Sequence, residues 1–410
     1  MEYGVIGEKL GHSFSKEIHS RFGDYDYEIA ELAREDLAAF FRKRKFRGIN
    51  VTIPYKKNVL PYCDKLDPIA EKIGAVNTIV NHGGLLVGYN TDYFGMRHAA
   101  AGIPLKNARV LILGTGGTAQ MAGLLCRNEG AFSVRFVSRG KQGDGILSYE
   151  EAAVKGKDAT ILINATPVGM FPDDGSFPVD LSHFPACVGV IDAIYHPLRS
   201  NLVLDAMARQ IPAVGGLAML VAQGAASSGI FTGNPIPEEK IRAVTRELTR
   251  EKENVVLIGM PGCGKSTVGA LLAQKLGRPF KDVDAVVEDM AGCRVAELIK
   301  SRGETAFRQM EEKAVVALSS LTGCVIATGG GSVMQESNTK ALKRNGKLVL
   351  LDRPLSELPI TPTRPLVASR EQLKALYARR YPRYCEVSDW IITATTPIET
   401  AENIERKWKE

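Results

Sequence analysis

A chain of 410 residues is longer than a single hydrophobic core usually supports, so two or three domains are expected. Hydrophobic residues make up 45% of it, yet its longest apolar stretches, such as 214–222, are too short to span a bilayer. The net charge of +6 comes without a long basic run, which disfavours nucleic acid and favours small anions as ligands.

Short apolar runs alternate with helical patterns along most of the chain, which is typical of α/β domains with largely parallel sheets. Strands are expected near residues 3–7, 47–52, 108–114, 133–138, 159–165, 188–193, 254–259, 324–330 and 347–352. The expected divisions are a lobe at 1–100 completed by 216–245, an α/β domain at 101–215, a charged helical linker at 238–253 and a last α/β domain at 254–410.

The seven cysteines are far apart and include no C-x-x-C pair, which argues against a zinc site or a disulfide framework. A reducing cytoplasm is the expected compartment. The first residues include an early acid and lead directly into a strand, a pattern that does not resemble a secretion signal.

Polar residues of the N-terminal lobe follow its apolar runs. In chain order they are Ser13 and Ser15 in GHSFS, Thr52 and Lys56 in INVTIPYKK, Asn77 in GAVNT and Asp92 in GYNTDYFG. Two hydroxyls two residues apart are able to bind one carboxylate, but each of these residues alone also fits an ordinary loop or turn.

A glycine-rich turn, GTGGTA at 114–119, lies between a strand and a helix and fits the dinucleotide pattern G-x-G-x-x-[GA]. The residues that would face the pyrophosphate are Gly114, Gly116, Gly117, Thr118 and Ala119. After the next strand, where an NAD enzyme has an acid, the chain has Ser138 and Arg139 followed by Lys141. Cations there suit a 2′-phosphate, so NADP(H) is predicted; ordinary surface cations are the alternative.

Taken in order, these segments resemble the shikimate dehydrogenase family over almost all of residues 1–245. The resemblance continues through NATPVGM at 164–170, DAIYHP at 192–197 and GGLAMLVAQ at 215–223. It implies an α/β substrate lobe plus a Rossmann NADP-binding domain, with Lys56 and Asp92 as the catalytic pair that protonates a ketone receiving hydride. The implied substrate-binding residues are Ser13, Ser15, Thr52, Asn77, Asp92, Tyr195 and Gln223, and the implied further cofactor residues are Thr166, Gly216 and Met219.

Two positions depart from that family's pattern. Lys16 follows the second serine, where the family usually has proline, and Ser138-Arg139-Gly140 stands in place of N-R-T.

The segment GMPGCGKS at 259–266 follows an apolar strand and precedes an amphipathic helix, which is the context of a phosphate loop. Lys265 would reach the outer phosphates, and the Ser266 hydroxyl suits Mg²⁺. Alternation along the next strand would place Asp282 and Asp284 on one face, one for the metal and one for the hydroxyl that attacks the γ-phosphate. A solvated turn is the alternative for these two acids.

With F-R-x-x-E at 307–311, G-G-G at 329–331, R-P-L at 364–366 and R-x-x-x-Y at 380–384, residues 254 to about 395 resemble shikimate kinase. The resemblance implies a three-layer P-loop domain of the nucleoside-monophosphate-kinase type. The implied sites are ATP at Gly262, Cys263, Gly264, Lys265, Ser266, Thr267 and Arg364, Mg²⁺ at Ser266 and Asp282, and substrate at Asp284, Arg308, Gly330 and Arg380. Asp284 would act as the catalytic residue. No adenine-stacking arginine matches between residues 351 and 364.

Together the two resemblances imply a bifunctional enzyme in which NADPH reduces 3-dehydroshikimate to shikimate and Mg·ATP then phosphorylates shikimate. One alternative is a quinate-type dehydrogenase, often NAD-dependent, with a kinase-like domain of weak or no activity. Others are a metabolite-sensing regulator built from inactive domains, and a C-terminal half that only binds. Intact Lys56, Asp92, Lys265 and Asp284 count against the regulator. A monomer or homodimer with small-molecule partners is expected.

Overall fold

The computed structural model describes residues 1–10, 14–140, 143–359 and 369–410. The predicted site residues Ser13, Lys141 and Arg364 lie outside the described residues. The chain forms two compact units. The first contains Met1–His196 and Asp205–Glu247, and the second contains Pro197–Leu204 and Leu248–Glu410.

Up to residue 252 the strands are β1 Tyr3–Gly7, β2 Tyr27–Glu31, β3 Gly48–Val51, β4 Lys65–Leu66, β5 Thr78–His82, β6 Leu85–Tyr89, β7 Arg109–Leu113, β8 Ser133–Val137, β9 Ile146–Leu147, β10 Ile161–Asn164, β11 Gly189–Asp192 and β12 Ala213–Val214. The α-helices are α1 Ser15–Phe22, α2 Leu37–Lys43, α3 Pro68–Ile73, α4 Thr91–Ala99, α5 Gly117–Asn128, α6 Tyr149–Lys155, α7 Asn201–Ala208, α8 Gly216–Thr232 and α9 Glu238–Lys252.

The first unit contains two six-stranded sheets, with strand orders β2-β1-β3-β5-β6-β4 and β12-β11-β10-β7-β8-β9. Neighbouring strands of the second sheet are all parallel, as predicted. The first sheet is mixed, because β5 runs antiparallel to both β3 and β6. Gly83 and Gly84 join β5 to β6 with φ values of 61° and 102°, which is the backbone that a two-residue hairpin loop requires.

The second unit has strands β13 Asn254–Ile258, β14 Phe280–Asp282, β15 Val325–Ala327, β16 Gly346–Asp352 and β17 Trp390–Thr393. Its helices are α10 Lys265–Leu276, α11 Val283–Ala291, α12 Val295–Ser319, α13 Glu336–Asn345, α14 Arg370–Val387 and α15 Pro397–Lys409. The strands form one parallel sheet in the order β14-β15-β13-β16-β17.

Continuous apolar runs explain why both parallel sheets form. Val255, Val256, Leu257 and Ile258 of the central strand β13 have no exposed surface, which requires cover on both faces of the sheet. Each fully buried aliphatic side chain of this kind contributes about 1.5–3 kcal/mol to stability. None of the helices in the described part of the chain has both the length and the apolar character needed to cross a membrane.

The segment Pro197–Leu204 is held within the second unit by Arg199. Its guanidinium donates to the Glu253 carboxylate at 2.7 Å and to the backbone oxygens of Lys343 and Gly346, both at 2.9 Å. The Glu253 side chain is only 7% exposed, so this charge depends on its partner.

Arg199→Ala is therefore expected to destabilise the second unit by about 2–4 kcal/mol, because it leaves a buried carboxylate without its main cation. The chain has two tryptophans, Trp390 and Trp408, and both lie in this unit, so their fluorescence during urea unfolding reports on it alone. Arg353→Ala is the control. Arg353 pairs with Glu357 at 3.5 Å on the surface, and its loss is expected to change stability by about 1 kcal/mol or less.

Candidate active sites

Lys56 and Asp92 form a close ion pair in the first unit. Lys56 lies in the loop that follows β3, and Asp92 lies in the first turn of α4. The Lys56 Nζ is 2.6 Å from the Asp92 Oδ2, and the two side chains are 30% and 18% exposed. A lysine held in this way by a carboxylate, with part of its surface open to solvent, is able to meet a substrate oxygen.

Asn77 and Gln223 lie beside this pair through hydrogen bonds to Thr91, the residue before Asp92. The Asn77 amide nitrogen donates to the Thr91 hydroxyl at 3.0 Å and to the Gln223 side-chain oxygen at 3.4 Å. In return the Thr91 N–H donates to the Asn77 side-chain oxygen at 2.7 Å. The structure therefore brings together four of the predicted residues, Lys56, Asn77, Asp92 and Gln223.

Helix α8 packs tightly on α4 and carries Met219 and Gln223 one turn apart. A Cβ at Gly95 of α4 would lie 2.4 Å from the Met219 backbone oxygen, so only glycine permits this approach. At the start of α8, a Cβ at Gly216 would lie 2.2 Å from the Ala193 backbone oxygen. Gly95 thus fixes Met219 against the helix that bears Asp92, and Gly216 fixes the start of α8 against the segment after β11.

The remaining predicted substrate residues lie on neighbouring segments. The Thr52 N–H donates to the Ile6 backbone oxygen at 3.0 Å, which joins the end of β3 to β1. Ser15 is the first residue of α1. The Tyr195 ring lies 5.7 Å from that of Phe14, just before α1, and burial raises the pKa of Tyr195.

The predicted dinucleotide turn joins β7 to α5. Gly114 has a φ of 105°, and a Cβ at Gly116 or Gly117 would meet no atom within 4 Å, so the turn is open where a phosphate would approach. Thr166 is fixed by its hydroxyl, which donates to the Asn164 side-chain oxygen at 2.7 Å. Arg139 is exposed after β8.

In the second unit the loop between β13 and α10 has the form of a phosphate cradle. Gly262 and Gly264 have φ values of 88° and 99°, a conformation that other residues rarely adopt. The Lys265 ammonium donates to the backbone oxygens of Gly259 at 3.0 Å and Met260 at 3.1 Å. Lys265 is thus held across the cradle by the loop itself.

The two acids after the loop differ from the sequence prediction. Alternation along a strand was expected to align them, but β14 ends at Asp282 and Asp284 lies in the first turn of α11. That prediction is wrong because Asp282 caps the helix and accepts the Asp284 N–H at 3.0 Å. Asp282 also accepts the Ser266 hydroxyl at 2.6 Å, which places two oxygen ligands suited to Mg²⁺ side by side.

Asp284 is exposed to solvent, and its carboxyl group lies near the charged side chains of Asp282, Lys265 and Glu311. Desolvation, followed by repulsion from Asp282, raises the pKa of Asp284 to about 6, and Lys265 opposes the shift. A carboxylate with a raised pKa is a better proton acceptor near neutral pH. It also lies beside Gly329, where a Cβ would approach its Oδ1 to 2.9 Å.

Arg308 is oriented by two glutamates on its own helix. It donates to the fully buried Glu311 at 2.6 Å and to Glu304 at 3.0 Å. Glu311 in turn accepts the Ser332 hydroxyl at 2.6 Å. A Cβ at Gly331 would lie 2.4 Å from the Arg308 guanidinium, so the glycine run leaves room for it.

Arg380 reaches the same glycine run from α14. Its Nη1 donates to the Gly330 backbone oxygen at 2.9 Å, and the Tyr384 hydroxyl donates to the same oxygen. Arg380 is 3% exposed, and its Nε has no hydrogen-bond partner among the described residues. Two guanidiniums, one with a buried spare donor, thus lie beside one glycine run, an arrangement suited to a carboxylate ligand.

Comparisons with known proteins relate the two units to two enzyme families. A family model described as "Shikimate dehydrogenase substrate binding domain" matches residues 5–79, and one described as "Shikimate kinase" matches residues 261–408. The shikimate dehydrogenase (NADP(+)) of Symbiobacterium thermophilum is 33% identical over 270 residues, which cover 58% of this chain and 91% of the relative. That of Methanococcus maripaludis strain C6 is 36% identical over 256 residues, which cover 56% and 91%. The chain belongs to the shikimate dehydrogenase family, with a shikimate kinase domain fused after it.

Solved structures of shikimate dehydrogenases are also similar. A chorismate mutase/shikimate 5-dehydrogenase fusion protein from Clostridium acetobutylicum has a TM-score of 0.57 and 33% identity, covering 60% of this chain and 96% of that one. Shikimate 5-dehydrogenase from Thermus thermophilus, solved with NADP(H) and shikimate, has a TM-score of 0.54 and 31% identity, with coverage of 60% and 98%. The predicted family resemblances, fold class and two enzyme classes, oxidoreductase and kinase, are confirmed.

Thr91, which joins Asn77 and Gln223 and directly precedes Asp92, is not among the residues predicted for the dehydrogenase site. Ser332, whose hydroxyl donates to Glu311, is not among the residues predicted for the kinase site. Thr91 could have been noticed as the neighbour of Asp92, whereas no sequence signal joins Ser332 to Glu311.

Proposed function

We propose that the chain reduces 3-dehydroshikimate to shikimate with NADPH and phosphorylates the same hydroxyl with Mg·ATP, giving shikimate 3-phosphate. In this proposal residues 1–100 with 216–245 bind the ketone, 101–215 bind NADP(H), and 254–410 form the kinase. The observation that carries it is the presence on one chain of a close Lys56–Asp92 ion pair and a phosphate loop whose Lys265 lies near Asp284.

The dehydrogenase half of the proposal assigns each residue a role that its contacts allow. When bound, NADPH supplies the hydride, and the open Gly116–Gly117 turn and Arg139 fit its phosphates. Lys56 donates a proton to the carbonyl oxygen, and Asp92 holds the ammonium in place. Asn77 and Gln223, together with Ser15, Thr52 and Tyr195, orient the ring of the substrate.

The kinase half of the proposal also assigns each residue a role that its contacts allow. When bound, Mg·ATP supplies the phosphoryl group, and Ser266 with Asp282 fits the metal while Lys265 fits the phosphates. Asp284 accepts the proton of the attacking hydroxyl. Arg308 and Arg380 hold the carboxylate of the ring acid, with the free Nε of Arg380 as one donor.

The test supplies 3-dehydroshikimate, NADPH, ATP and Mg²⁺ and follows NADPH loss and ADP formation separately. We expect NADPH loss without ATP, and ADP formation from 3-dehydroshikimate only when NADPH is present. Shikimate should support ADP formation directly. A preference for quinate with NAD in the oxidative direction, or NADPH loss without ADP from either substrate, would contradict the proposal.

Arg139→Ala is expected to raise the KM for NADPH about tenfold and to leave the KM for NADH within about twofold, because only NADPH has a 2′-phosphate for the guanidinium. Initial rates with each cofactor check this. Lys157→Ala, which removes an exposed cation before β10 at the opposite end of that sheet's strands, should change neither value. If Arg139→Ala raised the KM for NADPH and for NADH equally, Arg139 would not bind the 2′-phosphate.

A further inference from the structure

Four buried polar side chains form a cluster behind the proposed dehydrogenase pocket. They are Asn50 on β3, Thr78 on β5, Thr91 at the start of α4 and Ser227 on α8; we call them the Ser227 cluster. Thr78 and Ser227 have no exposed surface, Thr91 is 3% exposed and Asn50 is 7% exposed.

Ser227 is the centre of this cluster. Its Oγ lies 2.9 Å from the Asn50 amide nitrogen, 2.9 Å from the Thr78 hydroxyl and 3.0 Å from the Thr91 hydroxyl. It also donates to the backbone oxygen of Gln223, one turn earlier on α8, at 3.0 Å. A hydroxyl has one proton and two lone pairs, so it can make three hydrogen bonds at a time, and four neighbours are enough to fill that capacity.

The cluster contacts the proposed substrate residues directly. Asn50 donates to the Asn77 backbone oxygen at 3.2 Å, and Thr91 bonds the side chains of Asn77 and Gln223. Through Ser227, the position of α8 is therefore set against β3 and α4, the elements that flank Lys56 and carry Asp92. Buried networks of this kind fix side chains within a narrow range of positions when every member is satisfied.

We propose that Ser227 is a positioning residue of the dehydrogenase, which holds Asn77, Thr91 and Gln223 in the arrangement that binds the substrate hydroxyls. This inference depends on the proposed dehydrogenase function. Ser227 does not contact the Lys56–Asp92 ion pair in the described structure, so its loss acts on binding more than on proton transfer.

The chain offers a matched control in the next residue. Ser228 is also fully buried on α8, but its hydroxyl makes no hydrogen bond to any member of the Ser227 cluster. Ser227→Ala and Ser228→Ala remove the same atom from adjacent buried positions. Only the first disconnects the cluster.

The experiment measures kcat and KM for 3-dehydroshikimate in the full-length chain, together with the KM for NADPH. Ser227→Ala is expected to raise the KM for 3-dehydroshikimate about tenfold, with kcat changed by less than about threefold and the KM for NADPH unchanged. Ser228→Ala should match the wild type in all three. Calorimetric unfolding of each variant separates this pattern from a general loss of structure.

Thr78→Val provides a second test if Ser227→Ala does not fold, because it keeps the shape and removes another hydroxyl of the cluster. The same rise in KM is expected, and the double variant should show less than the product of the two effects. The proposal would be overturned if Ser227→Ala and Thr78→Val both kept the wild-type KM for 3-dehydroshikimate. It would also be overturned if Ser228→Ala raised that KM as much as Ser227→Ala does. An inactive wild-type dehydrogenase would instead reject the proposed function.

Discussion

Lys56→Ala should lower kcat of the dehydrogenase about a thousandfold and leave phosphorylation of added shikimate unchanged. The ammonium is the only donor that the proposed mechanism provides for the carbonyl oxygen, and a positioned acid contributes about 10²–10⁴ to a rate. Its 2.6 Å contact with Asp92 holds the ammonium in place. NADPH consumption and ADP formation, measured on the same preparation, check both halves of the prediction.

The control for the loss of a positive charge at this place in the loop is a change at the next residue, Lys57. Lys57 is exposed and follows Lys56 directly, so Lys57→Ala removes an equal charge from the same loop. It should keep dehydrogenase turnover within about twofold of the wild type, as exposed surface positions usually do. If Lys57→Ala lost activity to the same degree as Lys56→Ala, the loop's charge rather than a specific proton donor would explain the result.

Asp284→Asn should lower kinase turnover at least about a hundredfold, because the amide cannot accept the proton of the attacking hydroxyl. The same change should stabilise the metal-free second unit by about 1 kcal/mol at pH 7, a value reduced for solvent screening of this partly exposed group. In the wild type the raised pKa of about 6 means that the ionised form is disfavoured in the folded unit. Dehydrogenase activity should be unaffected.

The sign of the pH dependence follows from that pKa. A carboxyl whose folded pKa is raised favours folding below its unfolded value and loses this contribution as the pH rises through about 6. The stability difference between Asp284→Asn and the wild type should therefore be largest above pH 6 and decline towards pH 4, followed by tryptophan fluorescence. Asp289→Asn, an exposed acid on the same helix, should show neither the stabilisation nor the kinase loss. A pH-independent difference would contradict the role of Asp284 ionisation.

Local sequence patterns predicted the elements that carry the chemistry better than the contacts between them. The strand, glycine loop and helix around Lys265 could be predicted because all three lie within a short stretch. Lys56 and Asp92 were paired by resemblance, but their distance depends on the placement of α4, which no local pattern defines. Gly83-Gly84 is a recognisable signal for a hairpin turn, but β5 and β6 on either side of it are not among the predicted strands.

Two further failures have specific physical causes. Alternation along a strand places Asp284 on β14, but Asp282 is a favourable helix N-cap residue, so the strand ends there and Asp284 lies in α11. The contacts of Ser227 with Asn50, Thr78 and Thr91 join residues from four separate elements, and small hydroxyls have no periodic pattern that would reveal them.

The membership of Pro197–Leu204 in the second unit has a practical consequence for engineering. A kinase fragment that starts near residue 250 lacks Arg199, so the buried Glu253 carboxylate loses the guanidinium that donates to it at 2.7 Å. Kinase fragments that contain every kinase motif but not Arg199 are thus expected to express poorly. A kinase domain moved to another protein needs either a cation in the place of Arg199 or a neutral residue at position 253.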